Sequence, residues 1–297
     1  MEITDMTERF EATFWGARGT LPFSGEQTLK YGGNTYCLGI DIGSDRHFIF
    51  DAGTGLREYS RYLMQSASGK FSGYIFVSQP HWDHLNCLPF FTPVYIPGNK
   101  ITLMGPGEGG RSFRDLIDAQ MDGTYFPITV DAFQAEVTCE DMTPGTHRFD
   151  GVTIAAFDLN HSGDCLGYRI DHAGRSLAYI THNDLGDCGL DDDSTCALCD
   201  FINEADFFIH DATYFDHELK PEVSGWRSNV AQVVSLAHRS RVKKLFLFHH
   251  DPDHEDEALD AMLVEARNLI AQSGATCECF IATEGETWDV VRGVKVS

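Results

Sequence analysis

A layered α/β sandwich, with two sheets inside and helices outside, is the fold class this sequence predicts. Three observations predict it. Short apolar runs of strand character recur from the start of the chain. A strand-rich meander is followed, after residue 150, by a second meander that passes into strand–helix alternation. No repeat, low-complexity tract or linker divides the 297 residues, so residues 1–297 are expected to form a single domain with a large core.

In the first half, "ATFWGA" (12–17), "CLGIDI" (37–42), "HFIFDAG" (47–53) and "GYIFVSQ" (73–79) read as strands, separated by the Gly-rich turns "GARGT" and "YGGNT". The stretch "GLREYSRYLMQS" (55–66) reads as a helix between the third and fourth of them. Residues 106–135, "GPGEGG" followed by a helix-like "SFRDLIDAQM", are the least regular and are expected to form an insertion or lid. In the second half, strands are expected at "VTIAAFDL" (152–159), "LGYRID" (166–171), "LAYITH" (177–182) and "ADFFIH" (205–210). A helix over "SNVAQVVSLAHRS", a buried strand at "KLFLFHH" and a helix over "EDEALDAMLVEARNLIAQSG" follow. The last helix starts with acidic residues and ends at Gly274, as dipole and capping physics favour.

Composition narrows the function. Apolar content of 42% and charged content of 23% are ordinary for a soluble globular chain. Runs such as "FIF" and "LFLF" are too short to cross a bilayer. The N-terminal "MEITDMTERFEATF" has no apolar segment of the secretory kind, so the expected location is cytoplasmic and no membrane partner is expected. A formal charge of −23 repels polyanions. The nearest basic run, "HRSRVKK" (238–244), reads as a solvated helix end, so a long nucleic acid is not expected as partner. A small phosphorylated molecule remains compatible with that charge, and a homodimer is left open. The nine cysteines are expected to be reduced thiols. Cys188, Cys196 and Cys199 contain a C-x-x-C pair, but a structural zinc there lacks an evident fourth ligand, and free thiols are the expected reading. Cys277 and Cys279 alternate as on one face of a strand.

Histidines and carboxylates gather at strand ends: "QPHWDH", "NHSGD" (160–164), "THND" (181–184), "FIHDA" (208–212) and "FHHDPDH" (248–254). A strand end lets a side chain leave the core while staying rigidly held, and several such ends on one sheet edge make a site. His81, Asp83 and His84 on a tight loop present two imidazoles and a carboxylate to one or two cations. A histidine from a distant strand closes that shell and leaves a position for water, which a cation turns into a nucleophile near neutral pH. His210 and Asp211 read as groups that orient a ligand. His250 and His254 are expected to face solvent or cap the following helix. Asn34, Thr35, Tyr125 and Phe126 are candidates for contact with substrate.

The chain resembles the metallo-β-lactamase-fold hydrolases, in the branch that holds phosphodiesterases and ribonuclease Z-like proteins. The resemblance rests on the order and spacing of "FWGARGTLPFSGEQTLKYGGNTYC", "FIFDAGTGL", the "HWDH" loop with "LPFF" behind it, "LGYRI", "LAYIT", "ADFFIHDATY" and "LFLFHHDPDHED". It implies a four-layer αβ/βα sandwich and usually two metals at the shared strand edge. The family's His-x-His-x-Asp-His motif falls on Gln79, His81, Asp83 and His84. The isolated histidine falls on His161, the bridging aspartate on His182, and the last histidine on His249. Asp51 matches the structural aspartate, and Arg227 stands where the ribonuclease-like branch has a proton-donating histidine. Three positions depart from the pattern: Gln79, His182 and Arg227.

The donors that remain point to a rebuilt shell. In one arrangement Asp83, His84 and His249, joined by His182, hold a single metal well. In another, His182 joins His81 and His161 and replaces the missing histidine. Asp184 is an alternative source of the lost carboxylate. The resemblance implies zinc, one or two ions, with iron or manganese as alternatives. The expected activity is metal-dependent hydrolysis of a phosphodiester on a small molecule, with catalytic roles for Asp83 and Arg227. A non-hydrolytic, iron-based sensor and a thioesterase or lactonase are the rival readings.

Overall fold

The computed structural model describes residues 9–124, 126–185, 193–218 and 228–297, apart from the side chains of 193–196. In chain order the first sheet draws on β1 (Phe10–Gly16), β2 (Cys37–Ile42) and β3 (Arg46–Phe50), followed by α1 (Gly55–Ser66) and β4 (Ser72–Phe76). Next come the one-turn helix α2 (Trp82–Leu85), β5 (Lys100–Gly105), α3 (Phe113–Gln120) and β6 (Glu136–Asp141). The second sheet draws on β7 (Gly145–Phe149), β8 (Val152–Asp158), β9 (Leu166–His172) and β10 (Arg175–Ile180). After α4 (Asp193–Phe201) it continues with β11 (Phe207–Asp211), α5 (Val230–Arg239), β12 (Lys244–Phe248), α6 (Asp256–Ser273) and β13 (Glu278–Ile281). The chain then returns to the first sheet through β14 (Thr287–Asp289) and β15 (Val294–Lys295).

Strand order is β15-β14-β1-β2-β3-β4-β5-β6 in the eight-stranded sheet and β13-β12-β11-β10-β9-β8-β7 in the seven-stranded one. Three separate apolar clusters show the layering. The first lies between the sheets and is built from alternate strand residues such as Phe14, Phe50, Phe76, Tyr168, Tyr179, Phe246 and Phe248. A second packs the outer face of the seven-stranded sheet under α5 and α6, through Val233, Leu236, Leu259 and Met262. The third packs the outer face of the eight-stranded sheet under α1 and α3, through Leu56, Leu63, Phe113 and Ile117. Helix–sheet–sheet–helix is therefore the order of layers, the αβ/βα sandwich expected from the sequence. The side-chain period of two puts one set of residues on the inner face and the other under the helices.

Topology fixes where a site can form. β3 and β4 run parallel, as do β10, β11 and β12, and β8 points the same way as β10 because both are antiparallel to β9. Their C-terminal ends share one edge of the sandwich. At that edge the sheets are tied by Tyr168 Oη donating to the Val77 carbonyl at 2.7 Å and Leu166 N to the Ser78 carbonyl at 2.8 Å.

The structure adds strands that the sequence reading passed over. β5, β6, β7, β14 and β15 were not expected as strands, whereas the alternation of Cys277 and Cys279 was read correctly as strand-like and falls at β13. β6 and β7 each form one edge of their sheet and expose much of their length, so their apolar alternation is weak. Within 106–135 the structure forms α3, whose Ser112 cap and Asp115 complete a capping box. No described helix is long and apolar enough to cross a membrane.

Candidate metal centre

The donors come from strand ends on both sheets. Past β4, the chain turns at Gln79 and Pro80, and His81 enters α2 in an extended conformation at its N-cap position. One turn of helix then places Asp83 and the fully buried His84 side by side. From the second sheet come His182, two residues beyond β10, Asp211, the last residue of β11, and His249, the first beyond β12. Asp51 follows β3 directly. Asp51, His182 and His249 have φ of 61°, 54° and 59°, in the left-handed region that non-glycine residues seldom occupy. Three of the nine described non-glycine residues with positive φ thus stand at strand ends on this one edge.

Two donor groups share a member. Ligand atoms of Asp83, His84 and His182 lie within 4.8 Å of one another, and so do those of His182, Asp211 and His249. His182 thus stands at the junction. Its ring centroid lies 4.8 Å from that of His84 and 4.6 Å from that of His249. The Nε2 atoms of His182 and His249 are 3.1 Å apart. Asp211 Oδ2 accepts the backbone N–H of His182, so the two residues hold each other in place.

The surrounding hydrogen bonds orient the imidazoles. His84 Nδ1 lies 3.1 Å from Asp51 Oδ2 and 3.1 Å from Ser78 Oγ. Asp51 in turn accepts from Ser78 N, Ser78 Oγ and Tyr179 Oη. With Nδ1–H donated to Asp51, the lone pair of His84 Nε2 points into the cluster, the arrangement that metal-binding histidines use. Burial pushes the His84 pKa down, but Asp51, Asp83 and Asp211 outweigh it and raise it. The local field therefore favours positive charge at this ring, proton or cation. His249 Nδ1 lies 3.1 Å from Thr213 Oγ1, which leaves Nε2 facing the cluster.

Gln79 shows that the cluster suits a cation. Its Nε2 is 3.0 Å from His84 Nε2, while its Oε1 is buried with no hydrogen-bond partner among the described residues. A buried carbonyl oxygen without a donor costs about 1–3 kcal/mol. Turning the amide about its axis presents that oxygen at the position of Nε2, toward a cation held by His84. Nitrogen and oxygen donors in this mixture suit zinc, iron or manganese.

His81 and His161 lie on the open side. Their ring centroids are 5.6 Å apart, and the His161 ring is 5.6 Å from that of His182. Neither belongs to the two close donor groups found among the described residues. His81 is exposed, and His161 has a lowered pKa because of burial and the neighbouring His81 and His84. Asp184 is also outside these groups; its backbone N–H donates to the Asn160 carbonyl.

Several sequence expectations need correction. His250 and His254 are buried, not solvent-facing. His250 Nε2 donates to the Ala282 carbonyl at 2.8 Å, and His254 Nε2 lies 2.9 Å from Glu218 Oε1. His210 does not orient a ligand among the described residues: its Nδ1 donates to the carbonyl of Asp211 at 2.8 Å. Asp211, read as a supporting group, instead offers its own oxygen to the cluster. Asn34 is held by Glu284, and Thr35 by Thr54, so both brace the turn before β2. Phe126 packs edge-on against Phe90 with centroids 5.4 Å apart. Arg227, Tyr125 and Cys188 lie outside the described residues, as does the side chain of Cys196. Cys199 is half-buried.

Sequence reasoning missed Tyr36 and Arg18. Tyr36 follows a Gly-rich turn and reads as core, yet its hydroxyl lies 2.5 Å from His249 Nε2 and 3.2 Å from His182 Nε2. Arg18 is fully buried, and its guanidinium donates to the carbonyls of Gly32, Asp251 and His254.

Comparison with known proteins gives concordant results. The profile of the Beta-lactamase superfamily domain matches residues 46–250. Ribonuclease Z of Staphylococcus carnosus (strain TM300) is 23% identical over 303 residues, covering 87% of this chain and 94% of that protein. Among solved structures, the metallo-beta-lactamase fold protein YhfI of Bacillus subtilis superimposes with a TM-score of 0.69 at 16% identity, covering 95% of this chain and 99% of the other. A diphosphatase of the PhnP family superimposes with a TM-score of 0.67 at 14% identity, covering 94% and 97%. At these identities the two structural likenesses are likenesses of fold.

Proposed function

Because the chain belongs to the beta-lactamase superfamily, we propose that it is a cytoplasmic, metal-dependent hydrolase acting on a phosphodiester of a small molecule. The observation that carries this reading is His182, common to both donor groups at the shared strand edge. His84, His182, Asp83, Asp211 and His249 would hold the metal, zinc in one or two copies, with iron or manganese as alternatives. Gln79 would add its carbonyl oxygen. A cation bound there supplies Lewis-acid polarisation of a phosphoryl oxygen and acidifies a water.

The chain's own residues do the rest. Asp83, at the rim with its side chain 12% exposed, orients the attacking water and accepts its proton. His81 and His161, on the open side, receive the phosphate, and Arg227 pairs with its remaining oxygens. The exposed Trp82 and Phe90 offer flat apolar surface to the substrate's organic part. The relatives' names support phosphate-ester or phosphoanhydride chemistry. The net charge of −23 supports a small substrate over a long RNA.

The test measures metal identity and stoichiometry together with turnover of bis(4-nitrophenyl) phosphate and of a hairpin RNA. The proteins compared are wild type, His182→Ala and Gln79→His. Metal bound in wild type, lost in His182→Ala, and turnover of the small diester support the proposal. Cleavage of the RNA in preference to the small diester would overturn the substrate class, and full metal content in His182→Ala would overturn the cluster.

A further inference from the structure

Tyr36 is the one described tyrosine whose hydroxyl meets the ligand atoms of the cluster. The chain reaches it through the turn at residues 32–35, and it is completely buried at the entry to β2. Its ring stacks on that of His84, with centroids 4.3 Å apart and planes 14° from parallel. Its oxygen lies 2.5 Å from His249 Nε2 and 3.2 Å from His182 Nε2, and it accepts the backbone N–H of Thr20 at 2.9 Å. The other two large buried tyrosines at this edge are committed elsewhere, Tyr168 to the Val77 carbonyl and Tyr179 to Asp51.

Three atoms that can each bind a cation therefore crowd one point: two imidazole nitrogens and a phenol oxygen. The two Nε2 atoms lie 3.1 Å apart, a separation at which one ring donates to the other when one of them carries its proton on Nε2. A cation would take the place of that shared proton and engage both lone pairs. His182, Asp211 and His249 supply three ligand atoms, one short of a tetrahedral shell. The phenol oxygen, within 3.2 Å of both imidazole nitrogens, would supply the fourth.

We propose that Tyr36 is a metal ligand, completing with His182, Asp211 and His249 a tyrosine-bearing cation site. This rests on the metal-centre reading above. On binding, the phenolic O–H bond breaks, an oxygen–metal bond forms, and the proton passes to solvent. The charge of the ion is unchanged. The negative oxygen so formed also compensates for a cluster in which His182 is neutral. An anionic oxygen donor beside two imidazoles suits iron in its ferric state better than soft ions.

The experiment loads purified full-length protein with ferric iron and records iron content, the visible spectrum and the resonance Raman spectrum. Tyrosine bound to ferric iron gives a ligand-to-metal charge-transfer band in the visible and enhances tyrosine ring modes. The expected result is both signals in wild type and loss of both in Tyr36→Phe, which keeps the ring stacked on His84 and retains at least half the iron. Iron bound by wild type without these signals, or signals that persist in Tyr36→Phe, would overturn the assignment while leaving the metal centre intact. Iron bound by neither protein would overturn the tyrosine-bearing ferric site, and zinc content measured on the same preparations decides whether the centre falls with it. Should Tyr36→Phe not fold, wild type grown on ring-deuterated tyrosine decides the matter: the Raman modes shift if a tyrosine is bound and stay put if none is.

Discussion

Asp51 and His84 face each other in full burial, with Oδ2 of the one 3.1 Å from Nδ1 of the other. The pair joins the end of β3 to the first turn of α2, so it sets the direction of His84 Nε2 into the cluster. Ser78 and Tyr179 fix the carboxylate itself. Asp51→Asn keeps the size of the side chain but sets an amide N–H against these donors. Metal affinity should fall by about 10–100-fold, and stability by roughly 1–3 kcal/mol. Isothermal titration and denaturant midpoints measure the two. Unchanged affinity would show that His84 is not oriented for a metal.

Gly19 approaches His249 too closely to carry a side chain. A Cβ there would lie 2.2 Å from His249 Nδ1 and 2.3 Å from its Cε1. The obstacle is the ring of a candidate ligand, itself held by Thr213. In Gly19→Ala the ring must turn away, and metal stoichiometry should drop while the global melting temperature falls by only a few degrees. Metal titration followed by thermal melting separates the two effects; retention of metal would mean that the ring has room to move.

The sequence was most legible where periodicity and burial coincide. β2, β3, β8, β9 and β12 are strongly apolar on their buried faces, and all were expected as strands. β6 and β7 were missed because edge strands expose both charged residues and backbone, so the alternation that betrays a strand is diluted. At the cluster, Asp83, His84, His182 and His249 could be picked out because metal-capable side chains gathered at strand ends are uncommon without a purpose, whereas His81, read by the same signal, lies outside both close donor groups. Tyr36 could not, since a buried tyrosine beside a glycine turn is ordinary core. Its meaning appears only when β2 brings it between histidines 146 and 213 residues away. His250 failed in the other direction: its place in a polar, histidine-rich segment suggested solvent, but the backbone pairing of Arg18 with His250 pulls it inside.

Burial gives the protein an acid-sensitive side. It depresses His210 to a pKa of about 4 and His250 to about 3. In an unfolded chain both return to about 6.5, so between that value and the folded pKa values the unfolded state binds more protons. Stability contributed by these neutral rings is present above pH about 6.5 and is lost as pH falls toward 4 and 3. The denaturant midpoint of metal-free protein should drop through that window. His250→Asn, which can still donate to the Ala282 carbonyl, should flatten the drop, and an equally steep profile would acquit His250.

The buried thiols among the described residues should be unreactive in the folded state. Burial raises Cys37 and Cys165 well above the ordinary range, Cys87, Cys139 and Cys277 to about 11, and Cys279 to about 12. Little thiolate then exists near neutral pH, and the thiolate is the nucleophile. Alkylation of native protein, read by mass spectrometry, should spare Cys37, Cys87, Cys165, Cys277 and Cys279, whereas unfolded protein should take up nine labels. Fast labelling of Cys37 before unfolding would contradict the burial of β2.

Arg18 is a staple whose removal should cost stability more than metal affinity. Its Nε donates to the Gly32 carbonyl at 3.0 Å, and its Nη1 to the Asp251 carbonyl at 3.0 Å and the His254 carbonyl at 2.5 Å. These carbonyls belong to the turn before Tyr36 and the loop after His249, so one guanidinium pins both segments that border the cluster. Arg18→Met fills the same space but leaves the Gly32 and His254 carbonyls without this donor, at about 1–3 kcal/mol for each one that water cannot reach, while the Asp251 carbonyl keeps the backbone N–H of His254. The expected loss is roughly 2 kcal/mol or more. Arg18→Lys should recover little, because a compact ammonium cannot reproduce the planar fork that serves separate carbonyls at once. Chemical denaturation of the three proteins, with and without metal, provides the comparison. Equal stability of Arg18→Met and wild type would mean that the two segments are held by their own backbone pairing, through the bridges of Arg18 to Thr35 and His250, and not by the buried charge.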